Sequence, residues 1–345
     1  MSNRILQVDT LMALNREKFG TSRVLDYIGV ANIKVCAEQY LRVGSSIIVV
    51  DTDIQLGWSD LDTGAEENGK DYFVYACIPA SGVTPVFKIS INSTYPQGYD
   101  SSNSRKIGGF HNNPDGSILQ YSIWDLDFRP SCPDPRGMVY CSGINKWVDI
   151  YLPSDNGSNG VSSAYHGTVL NTVNQLDFVR KGANVGKQLC TYEQFSTFAS
   201  GSPEGVNIQG SANPVTTGGH VATNLARIKS TIGVEDCTGV FEQFGISYNF
   251  RAASFNHSHQ ENAGAVYTQN ATTGSADASA PFEWVNYYAG HVYCQGYFSF
   301  ISAHFGGKWN STVYCGTRTC NLYFQPNSSS ASISARYLCD SINIT

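Results

Sequence analysis

The feature that most constrains the fold of this chain is the spacing of apolar residues from Ala31 to Tyr95. The segments NIKVCAEQYLRV, SSIIVVDTDIQLGW, DYFVYACIPA and TPVFKISINSTY alternate apolar and polar side chains, with Gly, Asp and Ser clusters between them. A period of two places every second side chain on one face, so each segment buries an apolar stripe only as a strand. Several such strands in succession predict a small β-sandwich. Composition agrees where it bears on this point. Only 14% of the residues are charged, against roughly 25% in an ordinary globular domain. The balance is made up by glycine, short polar residues and aromatics, including 33 Gly, 20 Tyr and 17 Phe. Helical proteins draw instead on Glu, Lys, Ala and Leu. The Tyr, Ser, Gly and Asn palette is also that of binding loops, where rigid aromatic area is combined with adaptable hydrogen-bonding groups.

The prolines at 130, 133 and 135, in a stretch flanked by Trp and Phe, read as a rigid connector. They predict three parts: an attachment segment over 1–30, a β-sandwich-like domain over 31–129, and a second domain over 130–345. Within 1–30, Thr10 to Phe19 reads as one short helix ended by Gly20. In the second domain, Thr191 and Gln194 have capping-box spacing, and Tyr192, Phe195, Phe198 and Ala199 form an apolar face before Gly201. Leu225, Ile228 and Ile232 also recur at helical spacing and end at Gly233. The remainder reads as short aromatic strands, so the expected class is α+β and mostly β.

A net charge of −6 without a basic run argues against nucleic-acid binding. The N-terminus has charges scattered among its apolar residues and no continuous apolar core, so no signal peptide is expected. The apolar run Ile47–Val50 is too short to span a bilayer, and no membrane insertion is expected. Ten cysteines fall at no CxxC spacing. Buried free thiols are the first reading, with one or two late bridges involving Cys315, Cys320 or Cys339 left open. The stretch GANVGKQ at 182–188 has one residue too few between its glycines for a phosphate loop, and Gln188 stands where Ser or Thr would hold magnesium. His257 and His259 alternate on a strand without a Cys or carboxylate cluster to complete a metal site. No catalytic residue, metal or cofactor is expected.

Four tracts carry a resemblance to a known family. They are Gly98–Tyr99 with Ser104 to His111; Tyr121 to Asp125 continuing through Phe128-Arg129-Pro130 and Asp134 to Met138; Trp147 to Leu152; and Gly186 to Leu189 with Tyr192 and Phe195. Phe305-Gly306-Gly307, Trp309, Gly316, Arg318, Pro326, Ala335-Arg336, Cys339 and Asp340 fall in the same register without a gap. This combination resembles the major tropism determinant family of phage tail-tip proteins over residues 31–345. Residues 1–30 lie outside the resemblance.

The resemblance implies a C-type-lectin-fold C-terminal domain whose displayed residues are rewritten by a diversity-generating retroelement, mostly at AAC codons. Carried over position by position, the displayed residues are Asn310, Ser311, Thr312, Tyr314, Asn321, Tyr323, Phe324, Ser328, Ser330, Ser332 and Ile333. Changing the first two bases of AAC yields Asn, Ser, Thr, Tyr, Phe or Ile, so every one of these is reachable. Lys308 occupies a position the family varies, yet Lys is not reachable from AAC. Trp309 is expected to be a buried anchor, and Arg318 and Arg336 are expected to satisfy carbonyls or carboxylates in an irregular core. The resemblance further implies a homotrimer on a phage tail fibre or baseplate, located at the virion tail tip. Its partner would be a protein or glycan receptor on the host-cell surface.

Two other readings are weighed. A formylglycine-generating-enzyme-like oxidase shares the fold, but it needs a reactive cysteine soon after Gly306-Gly307, where Lys308 to Ser311 stand instead. A calcium-dependent sugar lectin needs a carboxylate tract that does not follow Gln325-Pro326-Asn327.

Overall fold

The computed structural model describes residues 4–7, 23–80, 84–251, 256–261, 268–272, 290–294, 299–322 and 324–343. The helix expected at Thr10 to Phe19 lies outside the described residues. The chain divides into two compact units. Unit 1 holds residues 1–131, 135–137 and 341–345, and unit 2 holds 132–134 and 138–340.

Unit 1 is built from the alternating segments. Asp71–Cys77 pairs antiparallel with Val86–Ser90 on one side and Ser104–His111 on the other. Leu25–Gly29, Asn32–Val35 and Ile54–Gly57 form a second sheet, and Gln39–Val43 pairs with Ser46–Val50 in a third. In Gln39–Val43 the alternation is explicit: Gln39, Leu41 and Val43 are buried, whereas Arg42 is exposed. One core, including Leu25, Ile33, Leu41, Ile48, Val74, Ile89 and Ile107, draws on all three sheets. The sandwich therefore follows from the period-two pattern.

The family-like tract Trp124-Asp125 has a structural task in this unit. Asp125 is fully buried, and its carboxylate accepts from the backbone N–H groups of Val24, Leu25, Asp127 and Phe128. Gly108, on the neighbouring strand, has to lack a side chain. A Cβ there would lie 2.3 Å from the Trp124 carbonyl oxygen and 2.4 Å from Leu25 Cδ1.

Unit 2 is organised by a larger sheet with spatial order Thr268–Thr272, Asn256–Glu261, Gly290–Cys294, Gly316–Leu322, Ser299–Gly306, Glu242–Arg251, Ile333–Ala335. Its last pairing is parallel, with Glu242 opposite Ile333 and Phe244 opposite Ala335. In a smaller sheet, Lys146–Asp149 lies between Met138–Cys141 and Tyr337–Asn343. Two α-helices occur among the described residues. Helix α1, Gln175–Ala183, begins where Asn174 Oδ1 accepts from Asp177 N at 2.9 Å. Helix α2, Tyr192–Phe198, begins with the capping box read from Thr191 and Gln194. It buries Phe195 and Phe198, and Phe195 packs against Phe305 with ring centroids 5.3 Å apart.

Two sequence readings change here. Helix α1 was not anticipated, and GANVGKQ proves to be its C-terminal end. A phosphate loop opens a helix, whereas here Gly182 closes one, packed so tightly on Tyr337 that a Cβ would lie 2.5 Å from its ring. The helix expected over 225–232 does not form. Leu225 is 71% exposed with φ +68°, in a turn closed by Leu225 N on the Ala222 carbonyl. The Asn224 side chain accepts from Ala226 N, a local bond that competes with helix. Ile228 alone of the supposed apolar stripe is fully buried.

The core of unit 2 centres on Arg336, which is 0% exposed. Its guanidinium donates to Gln243 Oε1 at 3.0 Å, to the carbonyls of Asp149 and Ile150 at 3.1 and 2.9 Å, and to the Glu235 carbonyl at 2.6 Å. Buried acceptors left without a donor cost about 1–3 kcal/mol each. Arg336→Met keeps the apolar stem and removes every donor. It is expected to lower unfolding free energy by more than about 3 kcal/mol, read as a reduced denaturant midpoint in chemical unfolding.

Candidate functional site

The predicted face is built on the hairpin from Ser299–Gly306 to Gly316–Leu322 and on the segment leading into Ile333–Ala335. Gly306 makes the hairpin's first bend. It has φ +88°, and a Cβ there would lie 2.2 Å from the Cys237 carbonyl oxygen, so only glycine fits. The loop then rises through Lys308 to Tyr314. Ser311 Oγ accepts from Lys308 N at 3.3 Å, and Thr312–Tyr314 form a 3-10 turn. In this loop Asn310, Thr312 and Tyr314 are exposed, and Val313, outside the predicted set, is 48% exposed. Lys308 and Ser311 are half-buried. Trp309 is half-buried as well, not fully buried as expected, and packs against the cluster of Leu152, Val240 and Phe241.

Further along, Asn321 and Phe324 are half-buried. Tyr323 lies outside the described residues. Ser328, Ser330 and Ser332 are half-buried, and the Ser330 and Ser332 hydroxyls hydrogen-bond at 3.0 Å. Ser329, between Ser328 and Ser330, helps line a polar cavity of about 400 Å³ beside helix α1, with Asn174, Asp177, Arg180 and Lys181.

Ile333 departs from the expected pattern. It is 0% exposed and sits in the core with Phe178, Phe244 and Tyr337. It pairs in parallel register opposite Glu242. It belongs to the scaffold of the unbound chain and not to a display face. Arg336 satisfies carbonyls, as expected.

Sequence reading missed the floor of this face. Glu242, Ser302 and His304 are buried together. Ser302 Oγ lies 3.1 Å from His304 Nε2, and His304 Nδ1 lies 3.4 Å from Glu242 Oε2. Asn321 Nδ2 donates to Glu242 Oε1 at 3.1 Å. Phe324 stacks on the His304 ring with centroids 5.3 Å apart, and its carbonyl accepts from Ser302 N and Oγ. The order Ser–His–Glu is that of a nucleophile, base and acid. Here Ser302 and His304 are both 0% exposed, so no substrate reaches the hydroxyl. The trio serves instead as a polar seat for Asn321 and Phe324. Its only sequence signal is the alternation of Ser302 and His304 on one face of a strand, with nothing to indicate Glu242.

Burial drives the Glu242 carboxyl upward, but the adjacent His304 ring, the charge of Lys308 and the Asn321 amide outweigh it, leaving its pKa below the usual 4.5. A carboxyl depressed in the folded state adds stability that is present above the unfolded pKa and lost as pH falls through the folded value. Glu242→Gln is therefore expected to destabilise the protein at pH 7. The gap to wild type should narrow as pH is lowered below about 4.5, measured by chemical unfolding at a series of pH values.

Against this geometry stand the comparisons with known proteins. Residues 24–125, within unit 1, match the family model described as the Mtd second domain. The chain is 29% identical over 308 positions to the tail fiber receptor-binding protein of Bordetella phage BPP-1, spanning 79% of this chain and 71% of that protein. Among solved structures, the Major Tropism Determinant U1 variant aligns with a TM-score of 0.72 at 24% identity, covering 98% of this chain and 88% of that one. The I1 variant aligns with a TM-score of 0.71 at 24% identity, covering 94% and 85%. The fold class is thus a mostly β chain, a small sandwich followed by a C-type-lectin-fold domain. Residues 24–125 thus match the Mtd second domain, and the chain shares the fold of the Major Tropism Determinant structures.

Proposed function

We propose that this chain is a receptor-binding protein of a phage tail, and that its lectin-fold unit presents the face from Lys308 to Ser332 to a ligand on the host-cell surface. The observation that carries the reading is the loop with exposed Asn310, Thr312 and Tyr314, mounted on a hairpin whose bend admits only glycine. It is supported by the likeness to the phage tail fiber receptor-binding protein. Tyr314 is the aromatic anchor of this loop, 42% exposed before any ligand binds. Phe324 contributes an edge of a ring already stacked on His304. Asn310, Asn321 and the serines at 311, 328, 330 and 332 are the adaptable polar contacts, with Thr312 beside them. The protein is a homotrimer carried at the virion tail tip, where several copies raise weak single-site binding by avidity.

An oxidase of the formylglycine-generating type is disfavoured by Cys315. Burial pushes its thiol up to about 12, opposite to the depressed pKa of a reactive cysteine. The chain acts by recognition and not by catalysis.

The test separates recognition from stability. Tyr314→Ser is expected to change unfolding free energy by no more than about 0.5 kcal/mol. Adsorption of the labelled protein to host cells should fall about tenfold or more, since anchor side chains commonly carry about 2 kcal/mol. Phe324→Ser should weaken adsorption and also cost about 1–2 kcal/mol of stability, because its ring is partly packed. Full adsorption by Tyr314→Ser overturns the placement of the face. Light scattering that finds only monomer overturns the trimer.

A further inference from the structure

Away from the face, three sulfur atoms meet in the core of unit 2. Cys132 Sγ lies 3.5 Å from Met138 Sδ, and Cys339 Sγ lies 4.0 Å from the same atom. Both thiols thus flank the same thioether. Cys132, Met138 and Cys339 are 5%, 1% and 2% exposed. The two cysteines sit on different kinds of backbone. Cys339 is held in strand Tyr337–Asn343, directly opposite Trp147. Cys132 lies in a bend between Pro130 and Pro133, outside any strand. We propose that Cys132 and Cys339 form a disulfide once the protein leaves a reducing cytoplasm, fastening the C-terminal strand to the start of unit 2.

The geometry suits the step. Both sulfurs lie within 4.0 Å of one Met138 Sδ, and bonding requires them to close to about 2.05 Å. One partner belongs to a bend that can supply that movement. Each bond in the exchange is accounted for. Local opening of the bend at Cys132 admits a small-molecule disulfide; the Cys339 thiolate attacks one of its sulfurs, and a thiolate leaves. The Cys132 thiolate then attacks the Cys339 sulfur of the mixed disulfide and expels the second thiolate. Two protons are released from the protein thiols and taken up by the two leaving thiolates. The protein loses two electrons, and the small disulfide is reduced to two thiols.

The electrostatics favour Cys339 as the first nucleophile. Its pairing with Cys132 holds the Cys339 thiol below the usual thiol range while Cys132 is raised, and the Lys187 ammonium adds to the effect on Cys339. Cys77, Cys190 and Cys315, by contrast, are pushed up to about 12 by burial. The two bridged positions are far apart in sequence, where a cross-link removes the most freedom from the unfolded chain. The inference is independent of the receptor-binding reading, because its readout is chemical.

The experiment incubates the purified full chain with oxidised glutathione or with dithiothreitol. Remaining thiols are then alkylated in denaturant and the peptides mapped by mass spectrometry. The expected result is the loss of two alkylatable thiols on oxidation, with one cross-linked peptide pair that joins Cys132 to Cys339. The oxidised protein should also melt at a higher temperature than the reduced one, and Cys132→Ser should abolish both the cross-link and the shift. Three outcomes overturn the proposal: both cysteines still alkylated after oxidation, a bridge from either one to a different cysteine, or a stable mixed disulfide with glutathione. The wild-type peptide map decides between these even if the serine variant fails to fold.

Discussion

A guanidinium removed from water tolerates no unfilled donor, and unit 2 is arranged around that requirement at Arg336. Its acceptors come from Asp149 and Ile150, Glu235, and Gln243, segments far apart in sequence. Each of these groups then fixes something else. The Asp149 carboxylate holds the buried Lys187 ammonium at 2.6 Å. The Glu235 carboxylate takes Arg227 and the backbone N–H of Gly219. The Gln243 amide donates to the carbonyls of Asp236 and Cys237. The Cys237 carbonyl is also the atom that a side chain at position 306 would strike. Hydrogen bonds thus run from one buried cation to the Cys237 carbonyl, against which the glycine bend of the exposed loop is packed. Irregular backbone between 215 and 240 is held without helix or extended strand because side chains and ladder-like bridges satisfy it.

That arrangement sorts the proposed face by how much each position shares with the scaffold. Asn310, Thr312 and Tyr314 extend beyond the bend. Asn321 and Phe324 rest on the Glu242–His304–Ser302 floor, so a change there alters a buried network as well as a surface. Ile333 is in the core altogether. Tolerance of substitution therefore falls along the chain from the loop to the strand. Residues that share one register in sequence thus differ in how far they are tied to the scaffold.

The legible parts of the fold were those with local rules. The strands of unit 1 follow from period-two patterning, and helix α2 follows from a capping box whose two hydrogen bonds both form. Helix α1 was hidden because its start signal is a lone Asn174 and its end carries two glycines, Gly182 and Gly186, that read as loop. The supposed helix at 225–232 satisfied an apolar spacing but ignored Asn224 and the long-range pull of Glu235 and Asp236 on its neighbours Arg227 and His220. The site was legible where an exposed loop follows two required glycines. Its floor was not, since Glu242 and His304 are brought together by pairing across a sheet, and nothing in their spacing announces it.

Lys308 illustrates how scaffold and face meet. Among the proposed face positions it is the one that adenine changes in an AAC codon do not reach. Its surroundings supply a physical reason for a lysine. Its backbone bridges to Val240 and is held by the Ser311 hydroxyl, and its ammonium is among the charges that keep Glu242 ionised in a buried setting. A neutral residue at 308 leaves that carboxylate less compensated, at a cost to the seat that holds Asn321. A position in contact with the ligand face and in electrostatic contact with the floor serves two demands at once. The floor restricts its chemistry even where the face would accept many side chains.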